Sequence, residues 1–188
     1  MTEAGFNRGA DGIWVSPNPA FGRMSFETNV LASPDSDNEM HIMADTWRRL
    51  GFDVKEVSWV PAQGADPVVR STFPGLSTTS TPPGEQALAE YRSDRVPTPE
   101  LRWRGSNRGA WAGRPDYDRL VDVWETSLDR NERNQAVIQM NRILNEECVV
   151  INLYWKLNAQ AAANGLSGPR LTDPDGTPEW NIHEWELR

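Results

Sequence analysis

The chain carries one cysteine, Cys148, in 188 residues, so no disulfide can form within it. Its place in an apolar stretch (ECVVINLYW) reads as a small buried hydrophobe rather than a nucleophile. Histidine is almost as scarce. His41 and His183 lie far apart, without cysteines or carboxylates at ligand spacing, which argues against zinc. The longest apolar run, Cys148–Ile151, is far too short to span a bilayer. The GxSxG, HExxH, CxxC and P-loop spacings are all missing, and no cofactor is expected. The opening MTEAGFNRGADGIW lacks the basic and apolar regions of a secretory signal. Read literally, that places the protein in the cytoplasm. Yet EAG reads as a helix end, followed by a glycine stop and a turn into a strand, so the chain is expected to begin inside a larger protein.

What is present describes a polar-surfaced globular chain with enough residues for a real core. Hydrophobic residues make up 38% and the mean hydropathy is -0.64. A net charge of -8 argues against nucleic acid as the main partner, because phosphate binding needs a positive field. Tryptophan is abundant, with nine against three tyrosines. Such rings serve equally as core filler and as stacking platforms.

Arg23–Ala32 alternates Met24, Phe26, Thr28 and Val30 on one face with Ser25, Glu27 and Asn29 on the other, the pattern of a half-buried strand. Ser33 to Asp37 supplies a turn and an acidic helix start. Met40, Met43, Trp47 and Leu50 then recur at helical spacing, and Gly51 stands where a glycine ends a helix. Phe52–Val60 is the next strand. Strand, helix and strand with short connections predict a βαβ unit and a parallel pair. The methionines read as core.

From Pro61 to Pro99 prolines and glycines break any long element, leaving a short strand over Pro67–Phe73 and a short helix over Gly84–Arg92. STTSTPP has the composition of a flexible linker. Arg70, Phe73, Tyr91, Trp103 and Trp111 punctuate the region, and disordered segments are poor in such residues. An ordered loop that wraps a surface or lines a cleft is expected over 61–115. Within it RWRGSNRGAW (102–111) admits three readings. Stacking rings between cations suit a single nucleic-acid strand, which the acidic balance opposes. The arginines can instead pair with surplus carboxylates. In the third reading Trp103 and Trp111 supply stacking area, and Arg104, Ser106 and Asn107 supply oriented donors for a small ligand.

Pro115 and Asp116 open a helix with the apolar face Tyr117, Leu120, Val121 and Trp124. Asp129 and Glu132 have the spacing of a capping box, before a helix with the stripe Ala136, Val137, Met140, Ile143 and Leu144. A strand over Val149–Trp155, an edge element over Asn158–Asn164, a turn-rich tail and a strand over Trp180–Leu187 are expected to follow, with Trp180, Ile182 and Trp185 turned inward. The acidic pairs Asp116/Asp118 and Glu146/Glu147 read as helix-start and helix-end residues. Acid–base catalysis needs two carboxylates held apart in unlike environments. A non-enzymatic protein is expected, with a small glycan-active or other hydrolase, or a free-standing binding module, as the alternative.

The order W-x-G-S-N-R-G, G-R-P-D-Y-D-R-L, D-R-N-E-R-N and I-L-N-E-E-C-V-V-I-N-L-Y resembles the C-terminal end of family 5 extracellular solute-binding proteins. These are the oligopeptide- and dipeptide-binding-protein-like receptors of ABC importers. Gly105, Asn107, Gly109, Pro115, Asp118, Leu120, Asp129, Arg133, Ile143, Leu144, Glu147, Ile151 and Leu153 fall on the family pattern, as do EAGF-x-x-G-x-DG-x-W and the helix end R-x-L-G-F-D-V. Cys148-Val149 stands where the family carries proline, and Arg114-Pro115-Asp116 where it carries Asn-Pro-Glu. The resemblance implies an α/β fold, a βαβ-containing mixed sheet packed by helices. It would be one lobe of a periplasmic-binding-protein-like type II fold, spanning 1–188 as a C-terminal portion without the N-terminal lobe. It also implies capture of a peptide or other small solute, delivery to permease subunits, and a periplasmic or extracytoplasmic location for the full-length protein. By position, Arg70, Phe73, Trp103, Arg104, Asn107 and Trp111 would line the ligand cleft. An apolar surface left by the missing lobe would promote self-association.

Overall fold

The computed structural model describes residues 1–81, 84–154, 161–170, 177 and 179–187. They form two compact units, Met1–Ser80 with Thr98–Arg104, and Thr81–Pro97 with Gly105–Arg188.

In the first unit, a 3-10 turn at Thr2–Ala4 stops at Gly5, and β1 (Asn7–Arg8) pairs antiparallel with β2 (Trp14–Val15). The alternating stretch becomes β3 (Ser25–Leu31). Helix α1 (Pro34–Arg49) starts where the Ser33 hydroxyl accepts the Ser36 N–H at 3.1 Å, with Pro34 in the first turn and Asp35 and Asp37 beside the positive helix end. Gly51, at φ 92°, provides the left-handed residue that ends it. The chain returns as β4 (Asp53–Trp59), parallel to β3, with Phe26 opposite Val54 and Leu31 opposite Trp59. The Phe26 ring packs on Trp47 and Phe52, at centroid distances of 5.8 and 5.9 Å. Val30, Met40, Ala44 and Val54 are buried, so α1 covers the even-numbered face of β3.

The connection onward covers the opposite face. It contains α2 (Pro61–Ala65) and α3 (Val69–Thr72) and leads into β5 (Gly75–Ser77), which pairs parallel with β3. Gly64 lies against Leu31, and the Trp59 and Phe73 rings meet edge-on at 5.3 Å. Gly75 has φ 124°, and a Cβ there would sit 2.1 Å from the Glu27 carbonyl oxygen. Only glycine lets β5 close on β3. The strand expected over Pro67–Phe73 is therefore a helical turn, with β5 displaced beyond it. Asp66 Oδ1 accepts from Val68 N–H at 2.8 Å, a local side-chain bond that curls the backbone away from a ladder. The stretch 61–115, expected as loop, holds α2, α3, β5 and 3-10 turns over Glu85–Tyr91 and Ser93–Arg95.

The second unit is built on α4 (Pro115–Thr126) and α5 (Arg130–Glu146). Leu88, Tyr117, Val121, Met140 and Leu144 form its core, ringed by Trp111, Leu120 and Trp124. The fully buried Tyr117 donates its hydroxyl to the Leu88 carbonyl at 2.7 Å. Burial also raises its pKa well above the ordinary tyrosine value. Asp129 caps α5 by accepting from Asn131 and Glu132 N–H. Glu132 does not complete the reciprocal capping box. Its carboxylate accepts from the Ser127 hydroxyl.

Beyond α5 the expectations fail in an informative way. Val149–Trp155 is not a strand through Tyr154, the last described residue there, and Ile151, Leu153 and Tyr154 are exposed. An apolar strand is buried only by neighbouring strands, and among the described residues none pairs with it. Cys148 is exposed in the left-handed region at φ 52°, not buried. Positions 155–160, with the start of the expected edge element Asn158–Asn164, and 171–176 of the turn-rich tail lie outside the described residues. The last expected strand shrinks to β7 (Glu186–Leu187), paired with β6 (Leu166–Ser167) after a 3-10 turn at Ile182–Glu184. Trp180 and Ile182 are exposed. The enclosed Asn181 amide bonds the Gly168 carbonyl at 2.7 Å and receives Trp185 Nε1–H at 2.9 Å. Those side-chain bonds hold the backbone in a turn where sequence alternation suggested a strand.

Candidate functional site

The sheet order β4-β3-β5 reverses at β3: the chain leaves β3 through α1 on one face and reaches β5 over the other. In open α/β sheets such a reversal leaves a crevice outside the carboxyl ends of the strands, where ligands bind. Here that edge is formed by Leu31, Ala32 and Ser33 at the end of β3, and by Ser77, Thr78 and Thr79 at the end of β5. Thr78 N–H bonds the Asn29 carbonyl at 3.0 Å, which carries the ladder to the edge. These residues were not singled out from the sequence. STTSTPP looked like linker, although the βαβ pattern alone predicts that its crossovers put a crevice at the strand ends.

Arg70 and Phe73 belong to the crossover of the same unit. The Phe73 ring packs on the nearly enclosed Trp59, so it helps to fix the crossover on the sheet. Arg70 is half-buried in α3. Two enclosed polar atoms, Asn29 Oδ1 and Ser71 Oγ, have no hydrogen-bond partner among the described residues. Leu31 contacts Gly64 of α2, and Asn29 shares that face by the strand's period of two.

Trp103 and Arg104 lie on a turn that also belongs to the first unit. Trp103 N–H bonds Thr98 O at 2.8 Å, and Arg104 N–H bonds Leu101 O at 3.0 Å. Arg102 and Trp103 are both left-handed, at φ 52° and 59°, without being glycine. Each costs on the order of 1 kcal/mol, and strain of this kind collects at ligand-binding sites. The turn presents a half-buried Trp103 and an exposed Arg104.

In the second unit Asn107 and Trp111 are brought together, with the Asn107 amide enclosed. Asn107 is 1% exposed. Its amide donates to Tyr91 O, Arg92 O and Trp111 O at 3.0, 3.1 and 2.5 Å, and its oxygen accepts Trp111 N–H at 3.3 Å. Trp111 Nε1–H donates to Glu147 at 2.7 Å, and its ring meets Tyr117 edge-on at 4.9 Å. The Asn107 amide therefore organises its loop. The backbone carbonyls it serves could not be bonded by a free ligand without opening the unit.

The acidic pairs are engaged in structure. Both oxygens of Asp116 accept from Arg114, which holds its carboxyl down at about 2. Asp118 accepts the Ser93 N–H at 2.9 Å, Glu146 pairs with Arg142 at 2.7 Å, and Glu147 pairs with Arg114. A shallow depression lined by Phe6, Ser16, Phe21, Arg23, Met24 and Ser25 offers one cation, Arg23, already paired with Asp11 and Asp53. No helix among the described residues is long and apolar enough to cross a membrane.

No protein-family profile and no curated protein sequence matches the chain. Solved structures do. The chain is similar to NikZ from Campylobacter jejuni, solved in complex with Ni(L-His), with a TM-score of 0.69 and 18% identity over 98% of this chain and 37% of that one. It is also similar to the oligopeptide-binding protein AppA from Bacillus subtilis, solved with a nonapeptide, at TM-score 0.66, 18% identity, and 100% and 36% coverage. The oligopeptide-binding protein from Thermus thermophilus, solved with a pentapeptide, matches at 0.63 and 21% over 79% and 27%. At these identities the likeness shows the fold alone, an α/β fold shared with these proteins. The chain spans about a third of the length of these proteins.

Proposed function

We propose that the chain is the ligand-capturing part of the solute-binding component of an ABC importer, taking up a peptide or other small solute outside the cytoplasm and delivering it to permease subunits. The observation that carries this reading is the fold: 98% of the chain superposes on a stretch of a solute-binding protein. The carboxyl edge of the sheet supports it, since this is where such folds bind ligands. Arg70, Trp103 and Arg104 are the candidate contacts in the first unit, with Phe73 holding the crossover. Asn107 shapes the loop of the second unit and positions Trp111.

The exposed apolar residues Ile151, Leu153, Trp180 and Ile182 fit a surface that another part of such a receptor would cover. On its own the chain is expected to self-associate through it. Calorimetric titration with a panel of tri- to nonapeptides tests the binding reading, comparing the parent with Trp103→Ala. Loss of at least fivefold in affinity for the best peptide is expected. Absence of binding by any peptide, or an unchanged affinity in the variant together with a monodisperse monomer in light scattering, would overturn the assignment.

A further inference from the structure

Three arginines among the described residues are half-buried, and they are treated differently. Arg92 is held by Asp94 and Asp122, and Arg114 by Asp116 and Glu147. Arg70 has neither an ion pair nor a side-chain hydrogen bond among the described residues. In a chain with 27 acidic residues against 19 basic ones, a partner would be easy to supply. Partial removal from water weakens the hydration of a guanidinium, and the loss is made good only by an anion or by oriented acceptors.

The surroundings of Arg70 in sequence are as one-sided. Asp66 is the sole acid between positions 60 and 80, and its Oδ1 is engaged by the N–H groups of Val68 and Val69. Apart from Gln63, whose Oε1 accepts the Val60 N–H at 3.2 Å, the rest of the polar complement is hydroxyl: Ser71, Thr72, Ser77, Thr78, Thr79 and Ser80. Thr72 donates to Val68 O, whereas the enclosed Ser71 hydroxyl has no partner. One unpaired guanidinium beside several hydroxyls, with the single carboxylate of the connection turned to backbone N–H groups through its Oδ1, is a set of groups that suits an oxyanion. The fork of a guanidinium matches a carboxylate in a bidentate manner.

We infer that Arg70 is a specificity-determining residue for a solute bearing a carboxylate, which it receives on the crossover side of the β4-β3-β5 sheet. This rests on the solute-binding reading and narrows it to anionic ligands or to peptides held by a free C-terminus. Phosphate shares the chemistry and serves as the competing arm of the test.

The experiment follows the arginine Nε–Hε and backbone amide resonances of the full chain by 15N NMR. It is titrated with N-acetylglycine, with the neutral N-acetylglycinamide, with inorganic phosphate, and with sodium chloride at matched ionic strength. N-acetylglycine is expected to shift Arg70 Nε–Hε and the Ser71 and Thr72 amides saturably, and the amide and chloride are not. Arg70→Gln should weaken the carboxylate response about tenfold or more. Arg119→Gln, on the exposed side of α4, should leave it unchanged. An unperturbed amide spectrum elsewhere in Arg70→Gln confirms that the fold is kept. Saturable binding of phosphate but not N-acetylglycine would overturn the carboxylate assignment. Binding of the neutral amide or of a peptide with Arg70 silent would overturn the anion assignment and leave solute binding standing. Silence towards every probe and the peptide panel would overturn both.

Discussion

Replacing Asn107 by alanine tests whether the loop of the second unit is held by one side chain. The Asn107 amide has two N–H groups facing three carbonyl oxygens, and its own oxygen takes one backbone N–H. That amounts to two donated bonds, shared over three acceptors, and one accepted bond. At about 1 kcal/mol net for each, Asn107→Ala should lose roughly 3 kcal/mol, and more where the enclosed backbone groups are left unpaired. With a urea slope of about 2 kcal/mol/M, the midpoint should fall by roughly 1.5 M with the slope unchanged. Tryptophan fluorescence reports the transition directly, because Trp111 is bonded to the site. Asn107→Asp is the control. It keeps an oxygen for Trp111 N–H but sets a carboxylate against three carbonyls, so at pH 7 it should be at least as destabilising as alanine. A loss below about 0.5 kcal/mol in Asn107→Ala would refute the reasoning, since surface substitutions commonly fall in that range.

Three further outcomes follow from the same unit. Tyr117→Phe removes the buried bond to Leu88 while keeping the ring, and should cost about 1–2 kcal/mol in urea. In ultraviolet titration of the parent, Tyr117 should ionise only with alkaline unfolding, and its ionisation together with an ordinary tyrosine would contradict its burial. Asp116 concerns acid. Its folded carboxyl lies at about 2, below the ordinary 3.8, because Arg114 hydrogen-bonds the ionised form. The contribution is therefore fully present above about pH 4 and is lost as pH falls through 2. Asp116→Asn should flatten that part of the pH dependence of the urea midpoint, and parallel acid profiles in parent and variant would show that the pair contributes nothing. The effect should shrink in salt, since the group is exposed.

Part of this protein is written in local pattern. The alternation of Met24 to Val30, the Ser33 cap, the Gly51 stop and the stripe Ala136, Met140 and Leu144 act within a turn or a strand, and these elements formed as the spacing required. The parallel pairing of β3 with β4 follows as well, because a single helix between two strands leaves little other choice. The resemblance carried by the ordered run from Trp103 to Leu153 pointed to the same fold that the solved structures display.

Other features were decided only by tertiary structure. Asn107 looked like a ligand donor because an asparagine between glycines is an adaptable polar group. Three backbone carbonyls from elsewhere in its unit turned the amide inward. Asn181 did the same in the tail, and Asp66 curled a β-branched stretch into a helical turn. Val149–Tyr154 has the composition of a buried strand, but composition cannot supply the neighbours that bury it. Arg70 lay in the sequence as one arginine among many. Its half-burial without an acidic partner depends on which carboxylates the fold brings close, and no spacing along the chain encodes that.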